Sequence, residues 1–169
     1  MGMSSHPLKQ ASAGYAGPNE KRPLASYAML ASSYGVALAG ALVALHARGK
    51  ELPARIDPVD LLLTGVATHK VTRLIAKDKV TSFIRSPFTS YQEAAGHGEL
   101  DEEPRGHGMR YAIGELLVCP YCLGQWVASS FAIGLVAAPR HTRLLTSIFV
   151  ADTISDVLQI AYKAAGDQV

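Results

Sequence analysis

Two long stretches of the chain carry no charge. From Leu24 to Leu45 there are 22 consecutive uncharged positions, and from Leu116 to Pro139 there are 24. About 20 apolar residues in a helix suffice to cross the hydrocarbon core of a bilayer. Helices buried in a soluble core show a polar face at a 3.6-residue period. These runs offer only Ser, Gly, Tyr, Gln and Trp at their less apolar positions. The pattern predicts two membrane spans, one from Leu24 to about Ala47 and one from Tyr111 or Ile113 to about Ala138.

Two further apolar segments flank these. Asp57-Pro58 opens a helix over Val59 to Ala76, because proline is tolerated in a first helical turn. That helix is short and carries His69, Lys70 and Arg73 in its second half, so it either crosses with its basic end near the head groups or lies in the interface. After a break at Pro139-Arg140, a last helix is expected from about Leu144 to Tyr162, with Asp152 and Asp156 inside it. The expected fold class is all-α: a small polytopic membrane bundle of four helices over residues 24–165. A tail over residues 1–23 precedes it, too poor in large apolar groups to fold alone. Lys21 and Arg22 ahead of the first run, with Ala39-Gly40-Ala41 inside it, imitate a signal peptide, but the run continues to full spanning length. Residues 86–110 read as a long polar loop. It holds Pro87, Pro104, the acidic cluster Glu99, Asp101, Glu102 and Glu103, and two Gly-His-Gly triplets around His97 and His107.

In the first span Ala31, Gly35, Ala39 and Val43 recur four apart, a spacing that lets another helix approach closely. The expected partners are therefore the lipid bilayer, and a protein partner or second copy on that face. The formal charge of +2, from 16 basic and 14 acidic residues, is too small and too scattered for a nucleic-acid footprint. If all four helices cross, one side collects Lys9, Lys21, Arg22, Lys77, Lys79, Arg85, Arg105, Arg110 and Lys163. The other collects Arg48, Lys50, Arg55, Arg140 and Arg143. That imbalance places both termini in the cytoplasm, across a bacterial inner membrane.

With that topology the polar residues of three helices share one half of the bilayer. His69 and Arg73 lie four apart, Asp152 and Asp156 lie four apart, and Glu115, Cys119, Cys122 and Trp126 follow at four, three and four. A charge in lipid is costly unless paired or wet, so Arg73, together with Lys70, is expected to neutralise Asp156 or Glu115.

Cys119-Pro120-Tyr121-Cys122 is the one motif that looks chemical. Alone it matches a glutaredoxin-type redox tetrad, in which a thiolate at a helix start attacks a disulfide. A thioredoxin-like fold needs a strand just before the motif, and no strand pattern is visible. Four-helix membrane thiol oxidoreductases relay electrons through a second cysteine pair, which this chain lacks. As zinc ligands the two thiolates supply half a tetrahedral shell, leaving His97 and His107 as weak completing candidates. The plainer expectation is that Pro120 starts or kinks the helix while two small thiols pack within the bundle, with no cofactor.

The stretch Gly114-Glu115-Leu116-Leu117-Val118-Cys119-Pro120-Tyr121-Cys122-Leu123-Gly124-Gln125-Trp126 resembles the signature of an uncharacterised bacterial membrane family, domain of unknown function thirteen-sixty. Ala67-Thr68-His69-Lys70-Val71-Thr72-Arg73-Leu74-Ile75-Ala76-Lys77-Asp78-Lys79, followed by Ile84-Arg85-Ser86-Pro87-Phe88, is similar to that family's upstream motif. The resemblance covers about Asp57 to Tyr162. It implies a multi-pass membrane protein, with some members associated with sporulation, and brings no activity or cofactor. It would place function on Arg73, Asp78, Arg85, Glu115, Cys119, Cys122, Gly124 and Trp126. The expected role is structural or interactive, through the cytoplasmic loop and basic helix end, with a thiol redox or metal-binding protein as the alternative.

Overall fold

The computed structural model describes Tyr15 and residues 22–166. The expected tail over residues 1–23 thus lies almost wholly outside the described residues. The described chain is mainly helical, in the order α1 (Leu24–Ala47), α2 (Pro58–Ala76), α3 (Ser82–Arg85), β1 (Thr89–Gly96), β2 (Glu99–Pro104), α4 (Gly108–Val118), α5 (Pro120–Ala137) and α6 (Pro139–Gly166). Two expectations are corrected: the described residues form six helices rather than four, and the fold is not all-α.

The helix boundaries follow from local chemistry. At the end of α1, Gly49 takes φ +66°, and the Lys50 N–H donates back to the Leu45 carbonyl at 3.0 Å, the left-handed closure that glycine makes cheap. Asp57 caps α2 by accepting from the Val59 N–H at 2.7 Å, and Pro58 fills a first-turn position where no N–H is needed. The helix expected from Tyr111 or Ile113 to about Ala138, with a start or kink at Pro120, is two helices. Pro120 forces the residue before it out of the helical region, so Cys119 sits at φ −106°, ψ 100°, and α4 and α5 meet at an 80° bend.

The segment read as a loop is an antiparallel hairpin. Thr89 pairs with Pro104, Tyr91 with Glu102 and Gly96 with Glu99. The first Gly-His-Gly triplet is its turn, with positive φ at Gly96, His97 and Gly98. The second supplies the entry to α4, where His107 is the extended residue before the helix. Neither strand alternates apolar and polar residues, because a strand of this hairpin buries little besides Thr89. Its order comes from neighbours: the Leu100 N–H donates to the Lys77 carbonyl at 2.8 Å and the Lys79 N–H to the Gly98 carbonyl at 2.9 Å, tying β2 to the chain just beyond α2.

α2 is the central helix, packed against both α5 and α6, while α1 lies against α4 and α5. The core is thin, with Leu45, Ala67, Ala76, Ala112 and Leu123 its buried apolar residues. Large apolar side chains instead point outward: Met29, Val36 and Val43 on α1, Leu61 and Leu62 on α2, and Leu144, Ile148, Val157 and Leu158 on α6. α1 and α6 are long and apolar enough to cross a membrane, and only 6 % of the most apolar window of either is buried inside the protein. α4 and α5 reach that standard only as a bent pair.

Candidate functional site

The ion pairs among the described residues fall into three groups. The first joins α2 to α6. Lys70 Nζ lies 2.5 Å from Asp156 Oδ2 and 3.1 Å from Asp152 Oδ2. Ten residues earlier in α2, Asp60 receives a bidentate Arg143 guanidinium, with Nη2 to Oδ2 at 2.7 Å and Nε to Oδ1 at 2.9 Å. Because Asp60 meets the start of α6 and Lys70 its middle, the two helices run parallel and the ion pairs pin their register at two heights. Asp60 and Arg143 were not singled out as a pair in the sequence, where each is one of two charges close to the start of an apolar helix, beside Asp57 and Arg140. Replacing Lys70 by Asp, or Asp156 by Lys, sets like charges against each other between α2 and α6 and should cost about 1 kcal/mol, a thermal midpoint roughly 2–4 °C lower in detergent. The double exchange should recover most of that loss. Equal loss in all three variants would show that Lys70 and Asp156 do not act as a pair.

The second group fastens the hairpin beneath the end of α2. Arg85 is fully buried and its partner Glu102 is 5 % exposed. All five guanidinium donors are used: Nε to Glu102 Oε2 at 2.9 Å, Nη1 to the Ile75 carbonyl at 2.7 Å and Thr81 Oγ1 at 3.0 Å, Nη2 to the Asp78 carbonyl at 2.9 Å and Glu102 Oε1 at 3.2 Å. The Thr89 hydroxyl lies 2.8 Å from Glu102 Oε2 and 2.9 Å from the Arg85 carbonyl, and its single proton serves one at a time. Asp78 shapes the turn by accepting the Val80 N–H at 2.7 Å. Around this centre Arg73 pairs with Glu99 at 2.5 Å and Lys77 with Asp101 at 2.8 Å. The acidic cluster and the basic end of α2, read apart in the sequence, are thus one interlocked surface. Arg73 is committed to Glu99, not to Asp156 or Glu115.

The third group lies at the α4–α5 elbow. Glu115 accepts from the Tyr27 hydroxyl and lies 3.4 Å from Arg22 Nη1, joining α4 to the start of α1. One and a half turns into α5, Trp126 meets Tyr34 edge-to-face at 5.1 Å, and the Tyr34 hydroxyl is 2.7 Å from Ser129 Oγ. Tyr27 and Tyr34 are therefore site residues that the sequence reading missed; an aromatic hydroxyl in an apolar run was their only signal. Cys119 and Cys122 stand between these anchors with their Cα atoms 5.2 Å apart and their sulfurs within bonding distance. Cys119 is half-buried, whereas Cys122 does not pack within the bundle: it is exposed, and the neighbouring Tyr121 is 94 % exposed.

His69 is exposed on α2, His97 sits at the hairpin tip and His107 before α4. The structure does not gather these histidines around the cysteines, and among the described residues no group of three or more His, Cys, Asp or Glu could hold a metal. Gly124 lies one turn into α5 with open space where a Cβ would stand.

A mainly helical fold with outward apolar faces and charges drawn together between helices defines a class, the helical proteins with membrane-length segments. The chain belongs to the family described as Protein of unknown function (DUF1360), which its residues 62–162 match, from early α2 to late α6. It is similar to the UPF0713 protein YngL of Bacillus subtilis (strain 168), 30% identical over 110 residues, spanning 63% of this chain and 81% of that protein. It is also similar to the sporulation protein YjcA of the same organism, 26% identical over 107 residues, spanning 62% of this chain and 91% of that protein. No solved structure matches the chain. α1 lies outside the family's span.

Proposed function

We propose that the chain is an integral protein of the bacterial inner membrane in which α1, α2, α5 and α6 cross and α4 lies along the cytoplasmic surface. The observation that carries this reading is the distribution of side chains: large aliphatic residues of α1 and α6 face outward, while Lys70, Asp152, Asp156 and Asp60 are drawn into pairs between helices. In water that arrangement would waste apolar burial; in lipid it is what the cost of unpaired charge demands. α2 has 19 residues, a length of about 28 Å at 1.5 Å per residue, close to the hydrocarbon thickness. The 80° elbow fits a helix that turns from the surface into the bilayer.

On this reading the protein works as a membrane-embedded scaffold. The hairpin, held on the side of both termini, is its cytoplasmic contact surface for a partner or for anionic lipid. The small-residue face of α1, where Gly35 and Gly40 have nothing within 4 Å of a Cβ position, is free for a partner helix or a second copy. The similarity to a sporulation protein supports a role in sporulation.

Single cysteines placed at Arg55, Ser90 and His141 in a Cys119→Ser, Cys122→Ser background test the topology with a membrane-impermeant maleimide. Positions 55 and 141 should label from outside intact cells, and position 90 only after the membrane is opened. Labelling of 55 and 90 from the same side would sink the four-crossing arrangement.

A further inference from the structure

The elbow has the parts of a dithiol–disulfide exchange site, and we infer that Cys119 and Cys122 form one, acting on protein dithiols and disulfides at the membrane surface. This goes beyond the scaffold reading and does not depend on which way the chain is oriented. Three observations meet there. The sulfurs are within bonding distance with Cα atoms 5.2 Å apart, inside the range a disulfide tolerates, so either redox form fits without moving the backbone. Cys119 is the N-cap of α5, and its sulfur accepts the Cys122 N–H at 3.1 Å. Cys122 and the neighbouring Tyr121 are open to approach, so a second protein can reach the motif.

These positions assign different roles to the two sulfurs. An incoming thiolate attacks the exposed Cys122 Sγ. The Cys119–Cys122 bond breaks, and its electron pair leaves on Cys119 Sγ. There the Cys122 N–H and the positive end of the α5 dipole stabilise the thiolate. A better-stabilised leaving thiolate departs faster. The partner's second thiolate then attacks its own sulfur in the mixed disulfide and releases Cys122 as a thiolate. Two electrons and two protons pass in total: the partner dithiol is oxidised to a disulfide, and the Cys119–Cys122 pair is reduced to two thiols. In reverse, Cys122 attacks a partner disulfide and Cys119 resolves the mixed product.

Only one cysteine pair is needed for this exchange, so the absence of a second pair in the sequence does not oppose it. The 80° bend gives the site its access.

The test uses the full chain in detergent micelles, equilibrated across ratios of oxidised to reduced dithiothreitol, quenched with acid and alkylated with a mass-tagging maleimide. The expected result is a reversible transition in which both cysteines change together, as a two-electron couple requires. In the Cys119→Ser chain, oxidised glutathione should accumulate as a stable mixed disulfide on Cys122. The Cys122→Ser chain keeps the backbone N–H, so its Cys119 should alkylate with a pH midpoint at least one unit below the ordinary thiol value of about 8.5, or roughly tenfold more thiolate at neutral pH. A pair that stays in one form across the whole range, or two single variants with the same glutathione yield and an ordinary alkylation midpoint, overturns the assignment. Because the wild-type titration needs no substitution, a variant that fails to fold leaves the test intact.

Discussion

Replacing Glu102 by alanine is expected to destabilise the protein by about 3–5 kcal/mol, because it leaves Arg85 buried with no counter-charge. Arg85 has no exposed surface through which to rehydrate, and its neighbours on the other side are the Ile75 and Asp78 carbonyls, which accept hydrogen bonds but do not neutralise it. The hairpin, which has almost no apolar core, should detach first. Limited trypsin digestion would read this as new cleavage at Arg85 and Arg105, together with a lower thermal midpoint in detergent. Replacing both partners, Arg85→Met with Glu102→Met, should recover part of the loss, since no charge is then buried alone. Recovery stays incomplete because the two carbonyls and Thr81 lose their donor. A Glu102→Ala chain within about 1 kcal/mol of wild type, a change of less than about fivefold in the folding constant, would show that Arg85 is not the fastening point.

Gly114 should be the least tolerant glycine of the elbow. A Cβ there would stand 2.6 Å from the Phe88 carbonyl oxygen and 3.1 Å from Pro104 Cβ, and neither belongs to a flexible side-chain tip. Alanine at this position must therefore push the base of the hairpin off α4, at about 1–3 kcal/mol, the range for forced overpacking. Gly124→Ala is the matched control. Nothing lies within 4 Å of its Cβ position, so the substitution should be neutral or stabilise α5 by up to about 1 kcal/mol through helix propensity. Thermal unfolding of the two single variants side by side decides the matter; equal midpoints would mean that the α4–hairpin contact yields freely.

Much of the molecule is written in local chemistry. The uncharged runs mark α1 and α5, and Asp57-Pro58 marks the start of α2. A hydrophobic run acts on its own, through its cost in water, and needs no partner to be recognised. Pro120 likewise announced a disturbance, but not its size. A proline demands only that the preceding residue be extended, and whether the chain then kinks or turns by 80° depends on what holds each arm, here Glu115 on one side and Trp126 on the other.

The hairpin was not legible for the opposite reason. Thr89–Gly96 and Glu99–Pro104 have no alternating apolar face, since their order comes from Arg73, Lys77 and Arg85, which lie in separate elements. Pairings of charges follow the same logic. The sequence showed that Lys70, Arg73, Asp156 and Glu115 each needed a partner inside an apolar setting. It did not show that Arg73 would be drawn to Glu99 while Lys70 took Asp152 and Asp156, because the partners are brought together by the packing of α2 against α6 and the hairpin rather than by spacing along one helix. By itself, then, the sequence determined which segments seek an apolar environment and which residues cannot stay there alone. Tertiary structure decided which charge answers which, and that Cys122 is exposed while Cys119 is half-buried: both depend on distances between elements, which no local pattern encodes.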